Sequence, residues 1–294
     1  MQPSRRQFLA GSLITAAAVG LPQSRLVAET SGKRQFKIAL QLYSVKDDCK
    51  KDFEAVLDKV ARMGYEGVEF AGQFGIYGVK PSELRKRLDD FGLKAAGTHI
   101  STNSFRGDAL KKTIDFYQQL DCKFLIVPMD KDFTDPEKSK VLAEFLTKTA
   151  ETLKPLGMYC GYHNHAVELQ KKDGDKNYWD LFAERSSADV ILQQDCGWTM
   201  EAGFSPAEYI RKYPGRSKIL HYKPTVLPAE HKIKKAIFGE DSVNWKSVIE
   251  ASHTVGGTEW TTIEQERYPD GKSPMECCEL SLQGMKKLLT TMGL

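Results

Sequence analysis

The chain has 294 residues, 41% of them hydrophobic and 28% charged, with a formal net charge of +3 and six cysteines. That apolar fraction and near-balanced charge exclude a disordered chain, and a sequence pI near 8.4 lacks the strongly basic signature of a nucleic-acid binder. At roughly 100–200 residues per domain, the length means one large domain or two small ones, each big enough to bury a core without a disulfide framework.

Taken in chain order, residues 1–28 read as an address rather than as fold. Ser4-Arg5-Arg6-Gln7-Phe8-Leu9 is a twin-arginine pattern, and an uncharged apolar stretch runs from Ala10 to Pro22. That stretch is too short to span a bilayer, which takes roughly 20 apolar residues. The pattern predicts a cleaved export signal with the cut near Ala28, a periplasmic location, and no stable membrane insertion afterwards. Losing residues 1–28 removes Arg5, Arg6 and Arg25 and no acid, which leaves a body of zero net charge. Such a body has no electrostatic attraction to nucleic acid or to anionic membrane.

Residues 29–294 read as one domain built on a repeated phrase. An apolar, often β-branched run is followed by a polar break, an amphipathic stretch and a glycine. Strands are predicted over residues 37–45, 67–71, 94–100, 124–129, 159–165, 190–195, 218–223 and 260–266. Helices are predicted over 53–63, 82–91, 109–120, 137–156, 178–185, 206–213, 245–254 and 274–291. Gly64, Gly92, Gly157, Gly215 and Gly256 stand where a left-handed residue closes a last helical turn. Ser82 and Asn244 are the expected N-caps. Alternating strands and helices imply a parallel sheet, and eight units fit an α/β fold of the (β/α)8 TIM barrel type. An open doubly wound sheet is the competing arrangement, but no Gly-x-Gly-x-x-Gly follows the first strand. No Cys-x-x-Cys pair occurs among Cys49, Cys122, Cys160, Cys196, Cys277 and Cys278, which predicts buried free thiols rather than a zinc knuckle.

Barrels of this kind do chemistry at the C-terminal ends of their strands. Those ends carry Gln41 and Tyr43, then Glu69, His99, His163 and His165 with Glu168 three residues on, Gln193 and Asp195, His221 and Lys223, and Glu264 and Glu266. Side chains two apart share a strand face, so each of the last four pairs points the same way. Unpaired buried charges are costly, and one divalent cation (Mn, Mg or Zn) held by carboxylates and imidazoles resolves the conflict. Taken singly, each residue also has a plain structural reading: Glu69 and His99 could simply bond one another.

Gly67-Val68-Glu69-Phe70, Gly161-Tyr162-His163-Asn164-His165, Asp195, Leu220-His221-Tyr222-Lys223 and Ile263-Glu264-Gln265 together resemble the xylose-isomerase-like barrel superfamily of sugar isomerases and epimerases, over residues 36–290. The resemblance implies one metal ion held by Glu, Asp, His and Glu from the fifth to eighth strands. Asp195, His221 and Glu264 match the last three. For the first, Glu168 is the expected ligand, with His163 or His165 competing. The chemistry implied is proton removal beside a carbonyl, which leads to isomerisation, epimerisation or, with loss of a β-oxygen, elimination.

Within that reading Glu168, Glu264, Glu266 and Lys223 are the expected catalytic residues. Glu69, His99, His163, His165 and Trp198 are expected to bind substrate, with Phe74, Tyr77 and Phe105 as further apolar faces for sugar rings. The expected partner is a small unphosphorylated sugar or keto-sugar, since no glycine-rich phosphate cradle follows the seventh or eighth strand. A zinc-dependent DNA-repair barrel and a non-catalytic sugar-binding barrel are the rival readings. Nothing in the pattern sets an oligomeric state.

Overall fold

The computed structural model describes residues 36–72 and 79–294, so the expected export signal and the loop aromatics Phe74 and Tyr77 lie outside the described residues. Eight parallel strands make one sheet: β1 (Lys37–Gln41), β2 (Gly67–Ala71), β3 (Lys94–His99), β4 (Phe124–Val127), β5 (Tyr159–His163), β6 (Ile191–Gln193), β7 (Ile219–Tyr222) and β8 (Trp260–Ile263). Each pairs with its neighbour in chain order except β6 with β7, and β8 returns to β1 through Trp260 opposite Lys37. Between β6 and β7 only one parallel bridge forms, Asp195 with His221. There the His221 N–H donates to the Gln194 carbonyl at 3.0 Å and the Leu192 N–H to the Arg216 carbonyl at 2.9 Å. The ring is the expected TIM barrel.

Strand alternation divides the apolar residues between two cores. Ala39, Ala96, Phe124, Ile126, Ile191, Ile219 and Trp260 point inward and plug the lower half of the barrel. Their neighbours Ile38, Leu40, Val68, Leu125, Leu192, Leu220 and Ile263 point outward against the helices in the main core. The next inward layer is polar, with Gln41, Glu69, His99, His163, Gln193, His221 and Thr262 all buried. A barrel filled with apolar side chains below and polar ones above has its reactive end set by the two-residue period of its strands.

The major helices are Phe53–Met63, Pro81–Asp90, Asp108–Gln119, Lys138–Leu153, Tyr178–Arg185, Pro206–Lys212, Trp245–Ala251 and Pro274–Thr291. Asn244 caps its helix by accepting from the Ser247 N–H at 3.2 Å. Ser82 does not cap, because the helix begins one residue earlier on Pro81, with Lys80 in the cap position. The left-handed residue near the end of the seventh unit is Gly257, at φ 66°, not Gly256.

Several strands are shorter than the apolar runs predicted. The Gln41 side chain accepts from the Tyr43 N–H at 3.2 Å and turns Leu42–Val45 into a 3-10 helix. Short helices Lys46–Lys51, Ala166–Gln170 and Cys196–Glu201 and a hairpin of Lys172–Asp173 with Lys176–Asn177 add to the eight units. All six cysteines are buried free thiols. No helix among the described residues is long and apolar enough to cross a membrane.

Candidate active site

Two close approaches pack the elements that carry the site. A Cβ on Gly161 would lie 2.4 Å from the Ile191 carbonyl oxygen, so the missing side chain lets β5 press on β6. A Cβ on Gly197 would lie 2.7 Å from the Lys223 carbonyl oxygen. That contact seats helix Cys196–Glu201 on the end of β7 and sets the Trp198 ring 4.1 Å from the Lys223 ammonium.

His163, Asp195, His221 and Glu264 each direct one ligand atom to a common point, all four atoms lying within 4.8 Å of one another. Asp195 caps helix Cys196–Glu201: one carboxylate oxygen accepts from the Trp198 N–H at 2.7 Å. The Asn164 side chain holds the Asp195 N–H at 3.0 Å. The other oxygen, Oδ2, is buried with no hydrogen-bond partner, and so is His163 Nδ1. Buried polar atoms are rarely left unpaired, because the desolvation cost is uncompensated. Carboxylate and imidazole atoms lying this close together, on residues of which two carry unpartnered buried atoms, fit a divalent cation.

Behind the cluster lies a network that orients it. Glu69, fully buried, accepts from His221 Nε2 at 2.9 Å and from the Gln193 amide at 2.8 Å. Gln193 also bonds His99 Nε2 at 2.7 Å, and His99 lies 3.3 Å from Glu69. With Nε2 committed to Glu69, His221 turns Nδ1 toward Glu264 at 3.1 Å and Asp195 at 3.9 Å. A carboxylate on the far nitrogen of a histidine fixes which nitrogen is free to bind a metal.

The electrostatics follow from burial set against neighbouring charge. Burial alone would push Glu69 up, but His221 and His99 hold it below the usual carboxylate range. Burial would depress His221, but Glu69 and Glu264 raise it to about 10. Glu264 resists its own burial through Lys223 and His221 and stays low, whereas burial dominates at Asp195 and pushes it up despite Lys223. His163 is driven well below its ordinary value by burial and by the charge on His221 and His99, and burial and Lys223 bring His165 down to about 4. Both are therefore neutral imidazoles at pH 7.

Above the cluster opens a cavity of about 450 Å³, a volume in the range of small-molecule sites. His99, His163, His165, Glu264 and Glu266 supply its polar lining, and Tyr43, Ile100, Pro128 and Met129 its apolar lining. Glu266 accepts a short hydrogen bond from Lys223, whose ammonium also stands 3.9 Å from Glu264.

Most of the expected residues thus meet at one place: Glu69, His99, His163, His165, Asp195, Trp198, His221, Lys223, Glu264 and Glu266. Glu168 does not. Its carboxylate accepts from the His165 N–H at 2.8 Å, in the first turn of helix Ala166–Gln170, and it is absent from the set of converging ligand atoms. The physical reason is local: the chain leaves strand geometry after His163, so Glu168 folds back on its own helix start. Phe105 is a core residue, 2% exposed, and offers no face to a ligand. Gln193, which ties Glu69 to His99, was visible only as a polar residue sharing the face of Asp195.

A polar-mouthed eight-stranded barrel with this cluster is a sugar isomerase/epimerase-like barrel. The chain belongs to the xylose isomerase-like TIM barrel family, whose family model matches residues 57–287. It is 25% identical over 278 residues to an inosose dehydratase of Lacticaseibacillus casei, covering 82% of this chain and 90% of that protein. A solved structure from Parabacteroides distasonis ATCC 8503, described as a sugar phosphate isomerase/epimerase, superposes with a TM-score of 0.70 at 25% identity over 85% of this chain and 98% of that one. L-ribulose 3-epimerase shares the fold, with a TM-score of 0.66 at 15% identity over 87% of this chain and 95% of that one.

Proposed function

We propose that this protein is a divalent-metal-dependent enzyme that removes the proton beside the carbonyl of an unphosphorylated keto-sugar or keto-cyclitol and expels the β-oxygen substituent. The observation that carries this reading is that two members of the converging ligand set, His163 and Glu264, line the same cavity as Glu266, whose carboxylate is held by Lys223. His163, Asp195, His221 and Glu264 would hold the ion. When bound, a divalent cation supplies Lewis-acid polarisation of the carbonyl oxygen.

The remaining work falls to the chain's own groups. Glu266 lines the cavity and is the base: its carboxylate takes the C–H proton as the electron pair moves toward the carbonyl. The pair then returns to form the C=C bond as the β C–O bond breaks, and the leaving oxygen recovers the proton from Glu266. Lys223 holds the Glu266 carboxylate in place. Tyr43 and Met129 give an apolar wall for the carbon face of the ring.

Elimination is favoured over isomerisation because one base that also returns the proton is enough for it, and because the curated relatives include dehydratases. Isomerisation or epimerisation is the second reading, supported by His165, a neutral imidazole lining the same cavity that could serve as a second base. Among the described residues the lining carries two carboxylates and neither lysine nor arginine, which supports an unphosphorylated substrate. The twin-arginine pattern at Arg5 and Arg6 supports the same class, since sugar phosphates are cytoplasmic metabolites.

The test is incubation of the metal-loaded protein in D₂O with phosphorylated and unphosphorylated keto-hexoses, keto-cyclitols and keto-glycosides, followed by NMR. An unsaturated ketone formed with loss of the β-oxygen substituent is expected. Solvent deuterium incorporated without C–O cleavage selects the second reading. Turnover confined to phosphorylated compounds overturns the substrate class.

A further inference from the structure

We infer that the cluster at the barrel mouth selects a borderline transition-metal ion (zinc, cobalt or ferrous iron) over the harder manganese and magnesium, and that His163 is the residue that sets the choice. This inference rests on the metal-assisted reading above and narrows it to a class of ion.

The first ground is the donor set. Two imidazole nitrogens and two carboxylate oxygens converge among His163, Asp195, His221 and Glu264, and no thiolate joins them. Magnesium seeks an octahedron of oxygens and gives up its water reluctantly. Imidazole suits zinc, iron and the later divalent ions, whereas carboxylate and water suit manganese and magnesium.

The second ground is the local excess of imidazole. His99, His163 and His221 form another group whose ligand atoms lie within 4.8 Å of one another. The His163 ring stands 4.5 Å from that of His221 and 5.0 Å from those of His99 and His165. His163 Nδ1 is buried in this nitrogen-rich pocket without a partner. A nitrogen-seeking cation is satisfied by an imidazole nitrogen of this group, and a hard ion poorly.

The third ground is that His163 cannot withdraw. It pairs in register with Gln193, two residues before Asp195, and Gly161 holds β5 tightly on β6. It is 2% exposed and walled by the other rings. Exchanging this one side chain for a carboxylate would turn a set of two nitrogens and two oxygens into one of three oxygens and one nitrogen.

The experiment uses the full chain, stripped with EDTA and titrated separately with Zn²⁺, Co²⁺ and Mn²⁺ against a chromophoric chelator, and with Mg²⁺ by calorimetry. The quantity read is the ratio of the Mn²⁺ to the Co²⁺ dissociation constant. His163→Glu is expected to narrow that ratio by at least about tenfold and to change the visible absorption of the Co²⁺ form as an oxygen replaces a nitrogen. His163→Gln serves if the glutamate variant does not fold, and must weaken Co²⁺ and Zn²⁺ more than Mn²⁺. A ratio unchanged within about threefold in a folded variant, with an unaltered Co²⁺ spectrum, overturns the inference. Asp195→Ala is run in parallel. If it leaves the binding of every ion intact, the metal site itself is refuted. If it abolishes binding while His163 variants keep the ratio, only the selectivity falls.

Discussion

Replacing Glu69 by alanine should expose how the cluster is held. This carboxylate accepts from His221 at 2.9 Å and Gln193 at 2.8 Å and is fully buried. Breaking a buried charged pair by deleting one partner costs about 3–5 kcal/mol. The lower end applies here, because Glu264 remains 3.1 Å from the other nitrogen of His221. At roughly 2–4 °C per kcal/mol for a chain of this size, about 3 kcal/mol lowers Tm by roughly 6–12 °C. The pH dependence has a definite sign. His221 is raised from 6.5 to about 10 in the folded protein, so its ion pairing is fully present below pH 6.5 and is lost as pH rises through 10. Glu69 is lowered from 4.5, so its contribution is present above pH 4.5 and is lost only as pH falls through its folded value. The gap between wild type and Glu69→Ala, measured by calorimetry in EDTA, should therefore be widest near pH 6 and shrink toward pH 10. A gap under about 2 °C at pH 6, or equal gaps at both pH values, would refute the assignment of a buried imidazolium held by Glu69.

Metal binding at Nδ1 of His221 must displace a proton, so apparent affinity should rise by up to about tenfold per pH unit below pH 10. Calorimetry in buffers of different ionisation enthalpy should count at least one proton released; none released would contradict the raised His221. Glu168→Ala should lose about 1 kcal/mol in urea denaturation through its helix-start bond to His165 yet keep metal affinity within about threefold, and a far larger loss of affinity would make it a ligand after all. Gly197→Ala forces a Cβ against the Lys223 carbonyl and should cost about 1–3 kcal/mol, read as a lower urea midpoint.

Much of the site was legible because a strand's two-residue period survives just past its hydrogen-bonded end. Asp195 lies beyond β6 and Glu264 beyond β8, yet both point inward as alternation requires. Glu168 escaped that logic. The three-residue spacing from His165, which suggested a ligand motif, is also the spacing of a helix start whose third residue reaches back to the cap. Composition carries no mark that separates the two uses, and only the turn after His163 decides. Ser82 failed for a similar reason, since Pro81 is a better first helical residue and moved the cap upstream. The partnership of Glu69 with His221 joins residues 152 positions apart, and no local pattern announces it.

The weak seam between β6 and β7 gives the barrel a preferred line of opening. Low on that line Arg216, buried, clasps the carbonyls of Val190 and Ala183 at 3.0 and 2.6 Å. At the top, Asp195 and His221 supply the sole bridge, and both also carry ligand atoms. A cation there would act as a rivet through these two staves. Its removal would loosen one joint rather than soften the whole ring, and amide hydrogens at Leu192 and His221 would exchange first.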